Sequence, residues 1–336
     1  MSEPLRTILC GAGDAGGSEH QRLSFGPALI AHPAYDVVGV VDDPAAGGVE
    51  RERSVQLAAD LDLPVFEDFT AAAEAADVAC VCSALDRRGS VVAALAASGV
   101  HLLLDKPAAR TAAATRELAD TVERSGVVAM PGHAMRFHPA VLRATAAVAR
   151  GDIGLPWAVQ SELLLAEGTT EWQNGALANG LGHSLDIVRA IIGLEATSVA
   201  AWRSSPFFAG RDEDLAVLSL TFEHDVPVSL TVGRTPTKGH PNGIAGDHLY
   251  RVMGSEGVLT VDLGKPSVQV NGGSRARRYG AGAIAAMLDH LAAAVRHQAR
   301  PTLSLADAVA VAEIVEAARR ASDGQVVVPL TGKTGR

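Results

Sequence analysis

The residues Gly11-Ala12-Gly13-Asp14-Ala15-Gly16 follow the apolar run Thr7–Cys10, and Asp42 closes the next β-rich run, Val37–Val41, 26 residues beyond Gly16. Few folds accommodate that arrangement. A strand that turns through glycines into a helix, with an acid at the end of the following strand, is the context of a dinucleotide-binding turn. Gly11 allows the tight turn, Gly13 admits a pyrophosphate close to the backbone, and Gly16 lets helix and strand pack closely. The helix that follows offers unpaired N–H groups and a partial positive charge to the phosphates. Asp14 and Ala15 lie in the same turn and are expected to face the cofactor. Asp42 is expected to accept hydrogen bonds from the adenosine ribose, with Asp43 beside it. No arginine or lysine adjoins the pair to neutralise a 2′-phosphate, which favours NAD over NADP.

The first third of the chain continues in the same rhythm. Val78–Cys82, His101–Leu104 and Val127–Met130 are continuous apolar runs, the pattern of strands buried on both faces. Between them, Arg51–Asp60, Thr70–Ala76, Gly89–Ser98 and Arg110–Ser125 have helical spacing. Alternating strands and helices predict an α/β fold with a parallel, doubly wound sheet. One stretch departs from the rhythm: Ser18–Pro27, with His20, Gln21, Arg22 and a Gly-Pro pair, reads as a surface insertion, the alternative being a loop over the cofactor.

Beyond Gly132 the pattern changes. Helices are predicted over Pro139–Arg150 and Gly182–Ile192. Strands follow over Ser198–Trp202, Leu215–Phe222, Val226–Val232, Leu249–Met253 and Val258–Val261. Short polar or glycine turns between the strands imply a mostly antiparallel sheet. Two alanine-rich helices, about 284–298 and 304–322, and a short strand at Gln325–Val328 end the ordered pattern, with Thr331–Arg336 expected to fray. The division expected is a dinucleotide-binding domain over 1–130 and a substrate-binding and oligomerisation domain over 131–336.

Composition excludes several alternatives. With 29 basic and 38 acidic residues the net charge is −9, the wrong sign for a phosphate-backbone binder, so no nucleic-acid partner is expected. No apolar stretch approaches the ~20 residues a membrane helix needs, and the polar start Met-Ser-Glu-Pro is unlike a signal peptide. No membrane association and a cytoplasmic location are therefore expected. Cys10, Cys80 and Cys82 sit in apolar runs and read as buried small hydrophobes, with no second cysteine pair for a zinc site. No metal is expected.

Two further segments carry chemistry. Asp105-Lys106-Pro107 places a lysine at the carboxyl end of a core strand, the edge where ligands bind in such sheets. Within Gly175–Asp186, the polar residues Asn179, His183 and Asp186 are spaced by four and three, which puts them on one helix face. Together with Gly132-His133-Ala134-Met135-Arg136-Phe137-His138-Pro139, Glu213-Asp214 and Gly254-Ser255-Glu256-Gly257, these segments resemble the Gfo/Idh/MocA oxidoreductases over nearly the whole chain.

The resemblance implies a Rossmann domain joined to an α/β domain with an open sheet, and a homo-dimer or homo-tetramer formed through the open face. It implies an NAD(P)-dependent dehydrogenase acting on a sugar, cyclitol or related polyol. Lys106 and His183 carry over as catalytic residues, with Asn179 standing where the family has an acid four residues before the histidine. An asparagine orients the imidazole without supplying charge, which shifts the proton-transfer role towards Lys106. Ser83, Ala84 and Asp105 join Lys106 among the cofactor contacts. His133, Arg136, Trp172, Asn179 and His183, with Glu171 as a further candidate, are expected along the substrate wall. Arg87 and Arg88, in a stretch that departs from the family's pattern, read as solvated, the alternative being contact with an anionic group. Two other readings remain at this point. An NAD-dependent glycosidase would release sugar without net NADH, and a non-catalytic NAD-binding regulator would keep the fold without turnover.

Overall fold

The computed structural model describes residues 3–12, 19–166, 175–205, 213–235, 248–271 and 282–330. Contacts divide the chain into one unit of Met1–Ala134 with Ile284–Ala310, and another of Met135–Ala283 with Val311–Arg336. The expected boundary was 130. The observed division falls at 134, and residues 284–310, expected in the second domain, pack with the first unit.

The first unit holds six parallel strands: β1 (Leu5–Cys10), β2 (Tyr35–Val41), β3 (Val65–Phe66), β4 (Val78–Val81), β5 (His101–Leu104) and β6 (Ala129–Pro131). Their order, β3-β2-β1-β4-β5-β6, reverses direction of progression between β1 and β4. At that switch point the connections leave on opposite faces and open a crevice beyond the strand ends. The strands are built from Val, Leu, Ile and Cys because helices cover both faces; β4 is buried at every position. The helices are α1 (Gly26–Ala31), α2 (Gly48–Leu61), α3 (Phe69–Glu74), α4 (Arg88–Ala97) and α5 (Ala112–Ser125). Sequence chemistry sets several of their ends. Asp68 accepts from Ala71 N at the start of α3, Thr111 accepts from Ala114 N at the start of α5, and Gly126 ends α5 in the left-handed region.

The stretch read as a surface insertion is helical instead. From His20 the chain runs through a π-helical turn, Gln21–Phe25, directly into α1. Gln21 is fully buried: its amide donates to the Cys80 carbonyl at 3.1 Å, and the thiols of Cys80 and Cys82 both reach its Oε1 at 3.1 Å. Residues i and i+2 of a strand share a face, which is why both thiols meet one amide. All three cysteines are free and buried.

The second unit is an eight-stranded sheet with α6 (Pro139–Ala149) and α7 (Gly182–Ile192) packed on it. Its strands are β7 (Pro156–Ala166), β8 (Ala196–Ser204), β9 (Leu215–Phe222), β10 (Val226–Thr235), β11 (His248–Gly254), β12 (Val258–Asp262), β13 (Ser267–Val270) and β14 (Val328–Pro329). The order is β13-β12-β11-β7-β10-β9-β8-β14, with every pair antiparallel except β7 and β10. β9 shows how the sequence orients the sheet: Ala216, Leu218, Leu220 and Phe222 are buried, and the alternate residues point away. Two more helices, α8 (Ala283–His297) and α9 (Leu305–Gly324), follow β13 in the chain, and the division between the units crosses α9.

β7 has no counterpart among the strands predicted from sequence. It begins with proline and carries Gln160, Ser161 and Glu162 mid-run, so its own propensity is modest. Pairing on both sides, with β11 and β10, holds it extended at the centre of the sheet. Among the described residues no helix is long and apolar enough to cross a membrane. Replacing Gln21 by leucine removes an amide that satisfies a buried carbonyl. The Gln21→Leu variant should lose about 1–3 kcal/mol in urea unfolding, and unchanged stability would show that the π-turn is held by packing alone.

Candidate active site

The carboxyl ends of β1, β4 and β5 bring the first group of functional residues together. Gly11 leaves β1 at φ +78°, and its N–H donates to the Val41 carbonyl at 2.9 Å. A Cβ built there would lie 2.9 Å from Ser83 Cα and 3.0 Å from Ser83 N, so only glycine allows the two turns this approach. The Ser83 hydroxyl is buried with no hydrogen-bond partner among the described residues. An unsatisfied hydroxyl beside a glycine cradle suits a ligand oxygen, because a buried donor left alone is costly. Gly13, Asp14, Ala15 and Gly16 lie outside the described residues.

At the end of β2 the two adjacent acids separate. Asp42 is half-buried, and one of its oxygens accepts from Ser54 Oγ of α2 at 2.6 Å. Burial pushes its carboxyl above the usual range, the Ser54 bond opposes this, and Asp43 and Glu50 add to the rise. Asp43 turns elsewhere. It is buried, accepts from Ala45 N at 2.7 Å, and pairs with Arg87 Nε, so its carboxylate is occupied by the protein. Arg87 also binds Glu50 and holds that carboxyl below its usual range. No basic residue adjoins the pair in sequence, but the fold brings Arg87 to Asp43 from α4's N-cap, and Arg53 Nη2 donates to the Ala12 carbonyl at 3.4 Å.

Arg88, read from sequence as solvated, is 3% exposed. Its guanidinium donates to the carbonyls of Ser83 at 2.6 Å, Asp105 at 2.8 Å and Pro107 at 2.6 Å. One side chain thus ties the turn after β4 to the turn after β5. The Lys106–Pro107 peptide bond is cis. Asp105 is buried; its Oδ1 accepts from Lys106 N at 2.8 Å and meets His20 Nδ1 at 2.8 Å. Burial alone would raise the Asp105 carboxyl, but His20, then Arg88 and Lys106, hold it down at about 2. Burial lowers the Lys106 ammonium, with Asp105 opposing. Lys106 therefore sits on a braced turn, with its charged form disfavoured.

His133 follows β6 in the first unit and is buried. The remaining expected residues belong to the second unit. Arg136 points its fork at Asp186 of α7, with Nη2–Oδ1 at 2.5 Å and Nε–Oδ2 at 3.0 Å, and the pair is almost wholly buried. Asp186 lies one helical turn after His183, so Arg136 fixes the orientation of the helix that carries the histidine. Arg136, expected along the substrate wall, pairs with Asp186 of α7. A π-helical turn, Leu177–Leu181, precedes α7 and contains Asn179, whose side chain lies outside the described set, as do Glu171 and Trp172. Glu213 anchors the start of that turn: its carbonyl accepts from Ala176 N at 3.0 Å and its carboxylate from Leu177 N at 2.9 Å. On the buried face of the sheet, His248 and Tyr250 hydrogen-bond at 2.9 Å, and burial brings the imidazole down to about 4.

The sequence reading singles out neither Ser54 nor the His248–Tyr250 pair, and it assigns no contact to Arg88, His20 or Gln21. The signal for His20 and Gln21 was present, as polar residues inside a stretch that otherwise continues into a helix. Among the described residues no group of three potential metal ligands comes together.

Comparison with known proteins identifies the two units' family. Residues 5–133 match the description "Oxidoreductase family, NAD-binding Rossmann fold", and residues 141–260 match the GFO/IDH/MocA C-terminal domain. The chain belongs to the GFO/IDH/MocA oxidoreductase family. This member is 24% identical over 279 residues to a scyllo-inositol 2-dehydrogenase (NAD(+)) of Bacillus subtilis, spanning 78% of this chain and 75% of that protein. It is 29% identical over 194 residues to a D-apiose dehydrogenase of Paraburkholderia graminis, spanning 56% of this chain and 51% of the other. An oxidoreductase from Agrobacterium radiobacter, solved with NAD+, L-tartaric acid and magnesium, shares the fold with a TM-score of 0.83 at 15% identity, over 97% of this chain and 98% of that one.

Two variants probe the GFO/IDH/MocA site directly. Arg88→Met leaves buried carbonyls without a donor and should cost about 3 kcal/mol in chemical denaturation. Gly11→Ala should weaken NADH binding, read by fluorescence titration, by roughly tenfold or more, because the strained conformation and the Ser83 contact both oppose a methyl group. Undiminished binding would remove the cradle from the cofactor site.

Proposed function

We propose that this protein is an NAD-dependent dehydrogenase that interconverts a secondary alcohol and a ketone on a sugar, cyclitol or related polyol. The observation that carries the reading is Lys106, half-buried at the carboxyl edge of β5 on a turn clamped by Arg88, with its ammonium disfavoured by desolvation. Gly11, Ser83 and Asp42 would hold the dinucleotide. The unsatisfied Ser83 hydroxyl and the glycine cradle suit its phosphates or ribose, and the Asp42 carboxylate suits ribose hydroxyls. Asp42 also supports NAD over NADP, because a carboxylate at that place repels a 2′-phosphate. Bound there, a nicotinamide ring supplies the hydride acceptor.

The chain's own part is the proton. A free lysine, with a pKa near ~10.4, is a weak candidate for a base at neutral pH. Desolvation brings Lys106 towards the range where it can accept the substrate's hydroxyl proton. In the reverse direction the ammonium returns that proton to the ketone oxygen. His183, with Asn179 four residues before it, is retained as a candidate substrate-contacting residue of the second unit. The names of the inositol and apiose dehydrogenases support a polyol substrate.

The open face of the second sheet supports a homo-oligomer. Trp202 and Val217, paired across β8 and β9, stand 60% and 40% exposed, and so large an aromatic is rarely left to solvent. Trp202→Glu should lower the mass seen by sedimentation; an unchanged mass would exclude this face as the contact.

A panel of cyclitols, sugars and nucleotide-sugars, screened for NADH formation, tests the reading as a whole. Lys106→Ala should reduce turnover by about 10²–10⁴-fold while NADH affinity stays within about threefold. Oxidation requires the neutral amine, so wild-type activity should fall as pH drops through the Lys106 midpoint, below that of a free lysine. Full turnover in Lys106→Ala would overturn the assignment.

A further inference from the structure

The helix that follows the glycine turn sends one side chain back to the lysine turn. His20 stands at the mouth of the π-helical turn Gln21–Phe25, and its Nδ1 lies 2.8 Å from Asp105 Oδ1. The partners are separated by 85 residues. A carboxylate only accepts hydrogen bonds, so the imidazole is the donor. The rings of His20 and Phe25 meet in a T-shaped arrangement, with centroids 5.8 Å apart. Asp105 Oδ1 accepts the Lys106 backbone N–H as well. Arg88, by contrast, directs its bonds to backbone carbonyls. A π-turn widens a helix by one residue and is frequent at functional sites. Here it places His20 on Asp105 and Gln21 under β4. The histidine side chain is 29% exposed, so it also exchanges protons with water.

We propose that His20 is a positioning residue for Lys106, acting through Asp105: the imidazole N–H donates to the carboxylate that flanks the lysine and holds it in place. The catalytic consequence rests on Lys106 as the proton acceptor; the coupling itself does not. The titratable groups acting on Asp105 are His20 ahead of α1, Arg88 from α4, Cys82 after β4 and Lys106 of the same turn. Without His20, the carboxylate turns its full charge towards the lysine and stabilises the ammonium. The Lys106 midpoint then rises, and less of the lysine is neutral at a given pH. Without Asp105, His20 has no route to the lysine.

The test reads Lys106 directly, with no substrate. The pH dependence of its acetylation by acetic anhydride, quantified by mass spectrometry on the full chain, gives the midpoint for wild type, His20→Ala, His20→Asn, Asp105→Asn and the double variant. His20→Ala should raise the midpoint by about half a pH unit, a roughly threefold change in the neutral fraction below the midpoint. His20→Asn keeps an N–H donor at the right distance and should recover most of the shift. Asp105→Asn should lower the midpoint, and adding His20→Ala to it should change nothing further. A His20→Ala midpoint equal to wild type, or an equal shift with and without Asp105, overturns the proposal. If His20→Ala does not fold, reciprocity supplies a second measurement. Lys106→Met should raise the His20 midpoint seen by NMR, and an unmoved histidine overturns the proposal as well. Loss of turnover in Lys106→Ala is scored separately, so an incorrect base assignment and an absent coupling give different results.

Discussion

One buried guanidinium holds the working edge of the first unit together. The turns after β4 and β5 carry Ser83 and Lys106, and neither turn has a ladder to satisfy its carbonyls. Arg88 supplies donors to three of them at once, from the first turn of α4. A planar fork of N–H groups suits that task better than an ammonium, because its donors are pre-aligned. The same edge holds Gly11, whose missing side chain lets the turn after β1 approach Ser83. The cradle for a dinucleotide and the platform for the lysine therefore form one braced surface.

Charge is distributed over that surface by pairing. Asp43 and Glu50 are engaged by Arg87, while Asp42 accepts from the neutral hydroxyl of Ser54. Asp105 stays ionised despite burial because His20, Arg88 and Lys106 surround it. In the second unit, Arg136 and Asp186 do the corresponding work for α7, orienting the helix that carries His183. Burying such a pair gains little stability in itself; its effect is to specify one geometry.

Much of this was legible in the chain. The parallel strands are continuous apolar runs, the antiparallel ones alternate, and glycines mark the turns, so most elements follow from local pattern. The central strand β7 does not, because two neighbours hold it extended and its own residues argue only weakly for it. The site divides in the same way. Gly11, Asp42, Asp105, Lys106 and His183 stand at recognisable spacings. Arg88 and His20 do not, because a polar residue at the start of a helix looks the same in sequence whether it faces water or turns inward.

What the sequence by itself determined is the order of elements, the glycine turn with its acid, and the lysine at a strand end. Each depends on residues close in the chain, where periodicity and backbone preference act. Only the tertiary structure decided which charges meet: Arg87 with Asp43, Arg88 with three carbonyls, His20 with Asp105 across 85 residues. Burial is the reason. A polar side chain removed from water must find a partner, and which partners are within reach is set by how the strands are ordered in the sheet.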